Sequence, residues 1–252
     1  MQNNSIKYNF TDFTLSAYEK LLKLVKSHYP IVDYKEAIGS DHFAVWRHDL
    51  DMSITSAYQL AQLEHKHGIK AHYFLLLHSE FYNLLEKSNT ELVFKILDLG
   101  HHIQLHFDSS YYQINSVMQL EKCLQKESLF LQNIFGQEID TFSFHNPSSF
   151  DLQCENSHFS GLINTYSEYF KTQVDYCSDS NGYWRHKRLE EVLESHKHKR
   201  IQVLTHPEWW QEKVYSPKEK VWNSIEARAE ATKNYYNDLL KRNGRENIDW
   251  DN

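Results

Sequence analysis

From Phe43 onward, short apolar runs alternate with segments of helical periodicity, and this alternation narrows the fold more than any other feature of the chain. Successive strands separated by helices pair in parallel, so the pattern implies repeated strand-helix units with helices covering a parallel sheet. The run 43–51 leads into a stretch where Ile54, Ala57, Tyr58 and Ala61 recur at helical spacing before Gly68. Residues 71–77 are almost continuously apolar, as a strand covered on both faces should be. Ser88 and Glu91 read as a capping box opening a helix that ends at Gly100, and a third strand follows at 102–108. A helix around 120–135, a strand at 141–145, short strands near Leu162 and Val174, a helix near Leu189 and a strand at 201–206 complete the series. Ser216, Pro217 and Glu219 cap a long C-terminal helix within 216–244. The first 40 residues are expected to form a cover, with a helix over 15–25 across one end of the barrel. A length of 252 residues suits one α/β barrel, so a single domain over 1–252 is expected.

Side chains alternate across a strand, so residues two apart share a face. Arg47, Asp49 and Asp51 share a phase in the first strand, as do His102, Gln104, His106 and Asp108 in the third. Thr141, Ser143 and His145 are in phase in the fourth, and Gln202 and His206 in the last. Four strands thus bring titratable groups toward their C-terminal ends, where barrel enzymes build their sites. Each residue alone has a plainer reading: Asp51 as a helix cap, a strand histidine as a hydrogen-bonded core residue. Together they would leave several buried polar groups to satisfy, at about 1–3 kcal/mol for each one left unpaired. Histidine and carboxylate ligands closing on a divalent cation, zinc being the first expectation, account for all of them at once.

The remaining composition excludes more than it identifies. A formal charge of -7 disfavours nucleic acid as a partner. Three cysteines, Cys123, Cys154 and Cys177, have no CxxC spacing and suggest a reducing, cytoplasmic setting. No apolar run reaches the length that crosses a membrane, about 18 residues, so membrane insertion is not expected. Sixteen tyrosines and six tryptophans can stack on sugar rings as well as fill a core.

The segments RHDLD (47–51), GHHIQLHFD (100–108), YCSDSNGYW (176–184) and LTHPEWW (204–210), in that order, resemble the motifs of the polysaccharide deacetylase family. This is the NodB-homology or carbohydrate esterase family four domain, and the likeness is to its intracellular branch. The resemblance implies a distorted (β/α) barrel of about seven parallel strands. It further implies Asp49 as general base, Asp51 and His106 as metal ligands, His206 as general acid and Asp179 as the carboxylate that tunes it. Ser110 stands where the family has a second metal-binding histidine, so Asp108 and His145 are candidates for the third ligand. His145 itself occupies the place of the family's base-orienting arginine. Tyr82, Trp209 and Trp210 are candidates for contact with substrate.

The resemblance implies hydrolysis of an N-acetyl group from an amino sugar or a sugar-containing precursor, so the expected partner is a small-molecule or glycan substrate. A backbone N–H between Pro147 and Ser149 is expected to stabilise the oxyanion. Two other readings stand beside this one: hydrolysis of another linear or cyclic amide, and a catalytically silent barrel that binds sugar. Oligomeric state is not readable from the sequence.

Overall fold

Every residue of β1 (Phe43–Leu50) is buried, so both faces of this strand are covered. The computed structural model, which describes residues 3–248, shows by what. The strand lies inside an eight-stranded sheet of order β5-β6-β4-β3-β2-β1-β8-β7. Its other members are β2 (His72–Leu76), β3 (His102–Phe107), β4 (Thr141–Phe144), β5 (His158–Phe159), β6 (Leu162–Asn164), β7 (Asp175–Ser178) and β8 (Arg200–Thr205). Neighbouring strands pair in parallel throughout, except that β5 runs antiparallel to β6. The seven-strand parallel expectation is therefore met, with β5 as an addition that its two residues were too short to announce.

One apolar cluster proves that the sheet curls. Val45 on β1, Phe74 on β2, Ile163 on β6 and Val174 beside β7 pack together, although β6 and β7 stand near opposite ends of the strand order. Only a sheet rolled into an incomplete barrel brings them together. A larger cluster lies between the outer face of the sheet and the helices, joining Trp46, Tyr73 and Leu105 to Leu22, Leu60, Val93 and Leu124.

The helices follow their expected signals closely. The longer ones are α1 (Leu15–His28), α2 (Ile54–Lys66), α3 (Lys87–Asp98), α4 (Val117–Phe135), α5 (Leu189–Ser195) and α6 (Pro217–Arg242). Ser53 and Ser116 accept hydrogen bonds from backbone N–H groups three residues on and so cap α2 and α4. Gly136 ends α4 in the left-handed conformation, φ 67°, where a residue with a Cβ is strained. Ser216 and Glu219 form the expected capping box of α6. Among the described residues, no helix is long and apolar enough to cross a membrane.

Two expectations need correction. Helix α1 does not cover an end of the barrel; it packs against α2 and α5 on the outer flank. Its Tyr18, Leu21, Leu22 and Val25 form one continuous apolar stripe, which needs a broad surface rather than a bore. The short helix Tyr34–Ala37 fills the bore instead, with Tyr34 against Phe170 and Phe74 and its hydroxyl on Gln202 Oε1 at 2.9 Å. Ser88 is not an N-cap either. Helix α3 starts at Lys87, and the serine hydroxyl donates to the Glu86 side chain at 3.1 Å.

Candidate metal-binding active site

Five of the singled-out residues occupy one structural position. Asp51 follows β1, Asp108 follows β3, His145 follows β4, Asp179 follows β7 and His206 follows β8, each as the first residue beyond its strand. The strands end where the backbone must open to form loops, so these side chains converge on the C-terminal mouth of the barrel. They border a cavity of about 850 Å³, which Asp51, Asp108, His145, His206 and Trp209 all line. Asp179 lies just behind the wall, fully buried.

Three ligand atoms form a nearly equilateral triangle. His106 Nε2 lies 3.2 Å from Asp51 Oδ1, His145 Nδ1 lies 3.3 Å from the same oxygen, and the two nitrogens are 3.2 Å apart. Tetrahedral zinc ligands at about 2.0–2.2 Å from the ion are separated by roughly 3.3–3.5 Å, so the triangle has the size of one face of such a site. The Asp51 oxygen is buried yet accepts no hydrogen bond. Burial would raise this carboxyl's pKa, but His106 and His145 outweigh it and hold it well below the usual carboxylate range. A buried, bare, ionised oxygen flanked by two imidazole nitrogens is what a cation requires, and these three are the described residues that could hold one.

A second layer fixes these side chains. His106 Nδ1 meets Ser143 Oγ at 2.7 Å, and that hydroxyl lies 3.3 Å from Asp49 Oδ1. If Nδ1 carries the ring proton, Nε2 presents its lone pair to the site, as a metal-ligating histidine must. The Asn146 amide lies 2.9 Å from His145 Nε2; with the amide oxygen turned to accept, Nε2 carries the ring proton and Nδ1 presents its lone pair to the triangle.

Asp49 is next to this triangle but beneath the cavity floor. Arg47 Nη2 donates to its Oδ2 at 3.1 Å, and Arg47 Nη1 donates to Thr165 Oγ1 at 2.7 Å. Both residues are buried. Position 145, where the resemblance leads one to expect an arginine, holds a histidine; the arginine that contacts Asp49 is Arg47, two residues upstream of it and in the same phase.

The other side of the mouth carries a histidine–carboxylate pair. His206 Nδ1 lies 2.7 Å from Asp179 Oδ1, and the backbone N–H of His206 reaches both Asp179 oxygens at 3.1 Å. Trp210 Nε1–H donates to Asp179 Oδ2 at 2.9 Å, completing the carboxylate's shell. Burial disfavours the imidazolium, but the bond to Asp179 overrides it and the His206 pKa is pushed up to about 10. The free Nε2 faces the cavity, 3.9 Å from Asp51 Oδ2.

Several candidates stand elsewhere than expected. Asp108 lines the cavity, but its Oδ1 accepts from the Ser110 N–H at 2.9 Å, the Ser110 hydroxyl at 2.6 Å and the Tyr111 N–H at 3.3 Å. Those bonds shape a loop turn, and Asp108 stays outside the ligand triangle. Tyr82 is not on the rim. Its hydroxyl donates to the Leu50 carbonyl at 2.8 Å and accepts from the Leu76 N–H at 3.1 Å, tying β1 to β2. Trp210 packs on Phe13, Tyr18 and Trp184, away from the cavity, whereas Trp209 lines it with a buried, unpartnered indole N–H. The expected oxyanion donors are also depleted: Pro147 has no N–H, and that of Ser148 is spent on Asp151 at 2.8 Å.

Residues that the sequence did not single out complete the walls. Tyr166, Tyr176 and Arg185 line the cavity, and His78 stacks on Tyr111 with ring centroids 3.5 Å apart. Glu208 lies buried between two motif residues, both oxygens without a hydrogen bond; burial, and then the Asp51 charge, push its pKa up to about 8. No periodicity marks Glu208, whereas the phase of Arg47 did point at the site.

Fold and site together define an α/β barrel with a histidine–carboxylate cluster at the mouth of its strands. No protein-family model and no curated protein matches the chain. Among solved structures it is similar to a family 4 carbohydrate esterase from Bacillus anthracis, at 13% identity over 83% of this chain and 85% of that one, TM-score 0.46. It is similar to the deacetylase PplD of Streptococcus pyogenes in complex with acetate, at 12% identity over 82% and 85%, TM-score 0.43. A third is a mutant of BA3943, a CE4 family pseudoenzyme with restored enzymatic activity, at 16% identity, TM-score 0.41. That match covers 77% of this chain and 64% of the other, so the chain spans under two thirds of its length.

Proposed function

We propose that this protein is a metal-dependent hydrolase that removes an N-acetyl group from an amino sugar or a sugar-containing precursor. The observation that carries the reading is the triangle of Asp51 Oδ1, His106 Nε2 and His145 Nδ1, built around a buried oxygen that accepts no hydrogen bond. In this reading those three side chains hold a divalent cation, and their donor set suits zinc. When bound, such an ion lowers the pKa of a coordinated water and polarises an amide carbonyl.

The chain's own residues do the rest. Asp49, held by Arg47, accepts the proton of the attacking water. His206 starts protonated because Asp179 stabilises the imidazolium, and it gives its Nε2 proton to the departing amine, which is otherwise a poor leaving group. The indole N–H of Trp209, free of any partner, is placed to bond a sugar hydroxyl or the acyl oxygen. Tyr166 and Tyr176 give the cavity aromatic walls with polar tips, which suit a sugar ring.

The test is acetate release from a panel of N-acetylated amino sugars and nucleotide-linked sugars, alongside elemental analysis of the full chain. Asp49→Asn and His206→Ala should each retain the metal and lose acetate release by about 10²–10⁴-fold. Release persisting in both variants would refute the two roles. A native protein that binds no divalent ion stoichiometrically would remove the metal reading and favour the silent, sugar-binding barrel.

A further inference from the structure

The first turns of helix α6 join it to the barrel. Asn223 donates to Gln211 Oε1 at 3.1 Å, Val221 packs against the core, and Arg228 pairs with Glu86. Of the helix's 26 residues, Lys220 is the one that is buried. A long helix with so little burial gains little from tertiary packing, which is what stabilises most helices in proteins.

Its outer surface is not random. Trp222, Ile225, Ala229, Thr232, Tyr236 and Leu239 recur at alternating spacings of three and four, the a/d seam of a two-helix coil. Trp222 is 56% exposed, Ile225 48%, Tyr236 48% and Leu239 38%. The seam has a size gradient that reads the same from both ends: large side chains at its tips, Ala229 and Thr232 at its centre.

We propose that α6 is a self-association seam through which two copies of this chain pair antiparallel. In that orientation Trp222 packs on Leu239 of the second copy, Ile225 on Tyr236, and Ala229 on Thr232, so large meets large and small meets small. The same patch serves both copies, as a two-fold interface demands. The flanking charges choose the orientation. Antiparallel pairing sets Glu226 beside Lys233 of the second copy, twice by symmetry. Parallel pairing would set Lys233 against Arg228, which Glu86 already holds, and would leave Glu226 beside Val221 without a basic partner. Lys233 is free to make the exchange, since its own neighbour Glu230 is 3.8 Å away on an exposed surface.

Light scattering and sedimentation of the full chain test this between about 1 and 200 μM, the range in which a weak dimer shows its concentration dependence. The mass should rise toward twice 30.1 kDa. Ile225→Glu should hold the chain at monomer mass across the range, with helical circular dichroism and metal content unchanged. Lys233→Glu should weaken pairing about tenfold, and Glu226→Lys combined with Lys233→Glu should restore it. A native chain that stays monomeric throughout, or an Ile225→Glu variant that pairs as before, overturns the seam. Failure of the double charge swap to restore what Lys233→Glu removes overturns the antiparallel arrangement.

Discussion

Consecutive residues of β1 feed two buried charged clusters that are finished to different degrees. Trp46 and His48 point outward, to Glu64 on α2; Arg47 and Asp49 point inward, beneath the site. On the outer side everything is matched. Glu64 accepts from the Tyr18 hydroxyl, from the Tyr73 hydroxyl at 2.5 Å and from His48 Nε2 at 2.6 Å. His48 Nδ1 meets Thr205 Oγ1 at 2.7 Å, and Trp46 Nε1–H donates to Tyr18 at 2.7 Å. None of these atoms lacks a partner, whereas Asp51 Oδ1, Arg47 Nε, both Glu208 oxygens and Trp209 Nε1 do, all around the inner cavity. A structural network closes its own hydrogen bonds; a site leaves them for something that arrives later. The difference separates two clusters that composition alone would class together.

The sharpest way to break this contrast is to remove one carboxylate from each cluster. Asp51→Asn should abolish metal retention and lower acetate release by about 10³-fold or more, with a much smaller change in thermal midpoint than any change at Glu64. Metal content and turnover left intact would end the distinction. Glu64→Ala should do the opposite and destabilise the fold by about 3–5 kcal/mol, because His48 and two tyrosine hydroxyls lose their shared acceptor inside a dry core. An unchanged denaturation midpoint would show that the outer network contributes no stability.

The Glu64 carboxyl also predicts a pH limb. Burial would raise its pKa, but the facing His48 outweighs it and holds the group below its ordinary value of 4.5. A depressed carboxylate stabilises the fold above that ordinary value, and this contribution fades as the pH falls through the folded-state value. The acid limb of stability below about pH 4.5 should therefore flatten in Glu64→Gln; an identical limb in both proteins contradicts the assignment.

Lys220 is a milder instance of a half-finished environment. Burial pulls its pKa down to about 8, and its nearest oxygen acceptor is the Phe13 carbonyl at 3.5 Å. Below the folded value the buried ammonium opposes folding, and that penalty is relieved as the pH rises from about 8 toward 10.5. Lys220→Met should thus stabilise by roughly 1–3 kcal/mol at neutral pH, the gain shrinking at alkaline pH. A melting curve that is lower than the native one at pH 7 would sink it. The smallest effect belongs to Asp108→Asn, whose retained oxygen can still accept the loop's hydrogen bonds. Acetate release should drop by no more than about threefold, under roughly 1 kcal/mol. A loss equal to that of Asp49→Asn would move the base to Asp108.

Much of this was legible in the sequence because strands carry a period of two. That period by itself directs Asp49, Asp51, His106 and His206 to one end of one barrel. It could not say that the residue after each strand, rather than its last member, faces the mouth, since a loop sets that. Nor could it distinguish Trp209 from Trp210: the turn after β8 sends one indole into the cavity and the other into the core. Tyr82 was misplaced because a loop tyrosine beside a site looks the same whether its hydroxyl serves a ligand or ties the carbonyl of one strand to the N–H of the next. Asp108 and His145 were equal candidates in the sequence; the turn at Ser110 engages the Asp108 carboxylate, whereas His145 stands beside Asp51 and His106. The first helix was misassigned for a different reason: an apolar stripe says that a helix must be covered, not which surface covers it.

The short segment Tyr34–Ala37 has a consequence for traffic. With Tyr34, Phe74 and Phe170 stoppering the lower bore, the barrel is a blind well and not a tunnel. Nothing can thread through it. Whatever descends from the mouth toward Asp51 must leave by the mouth again.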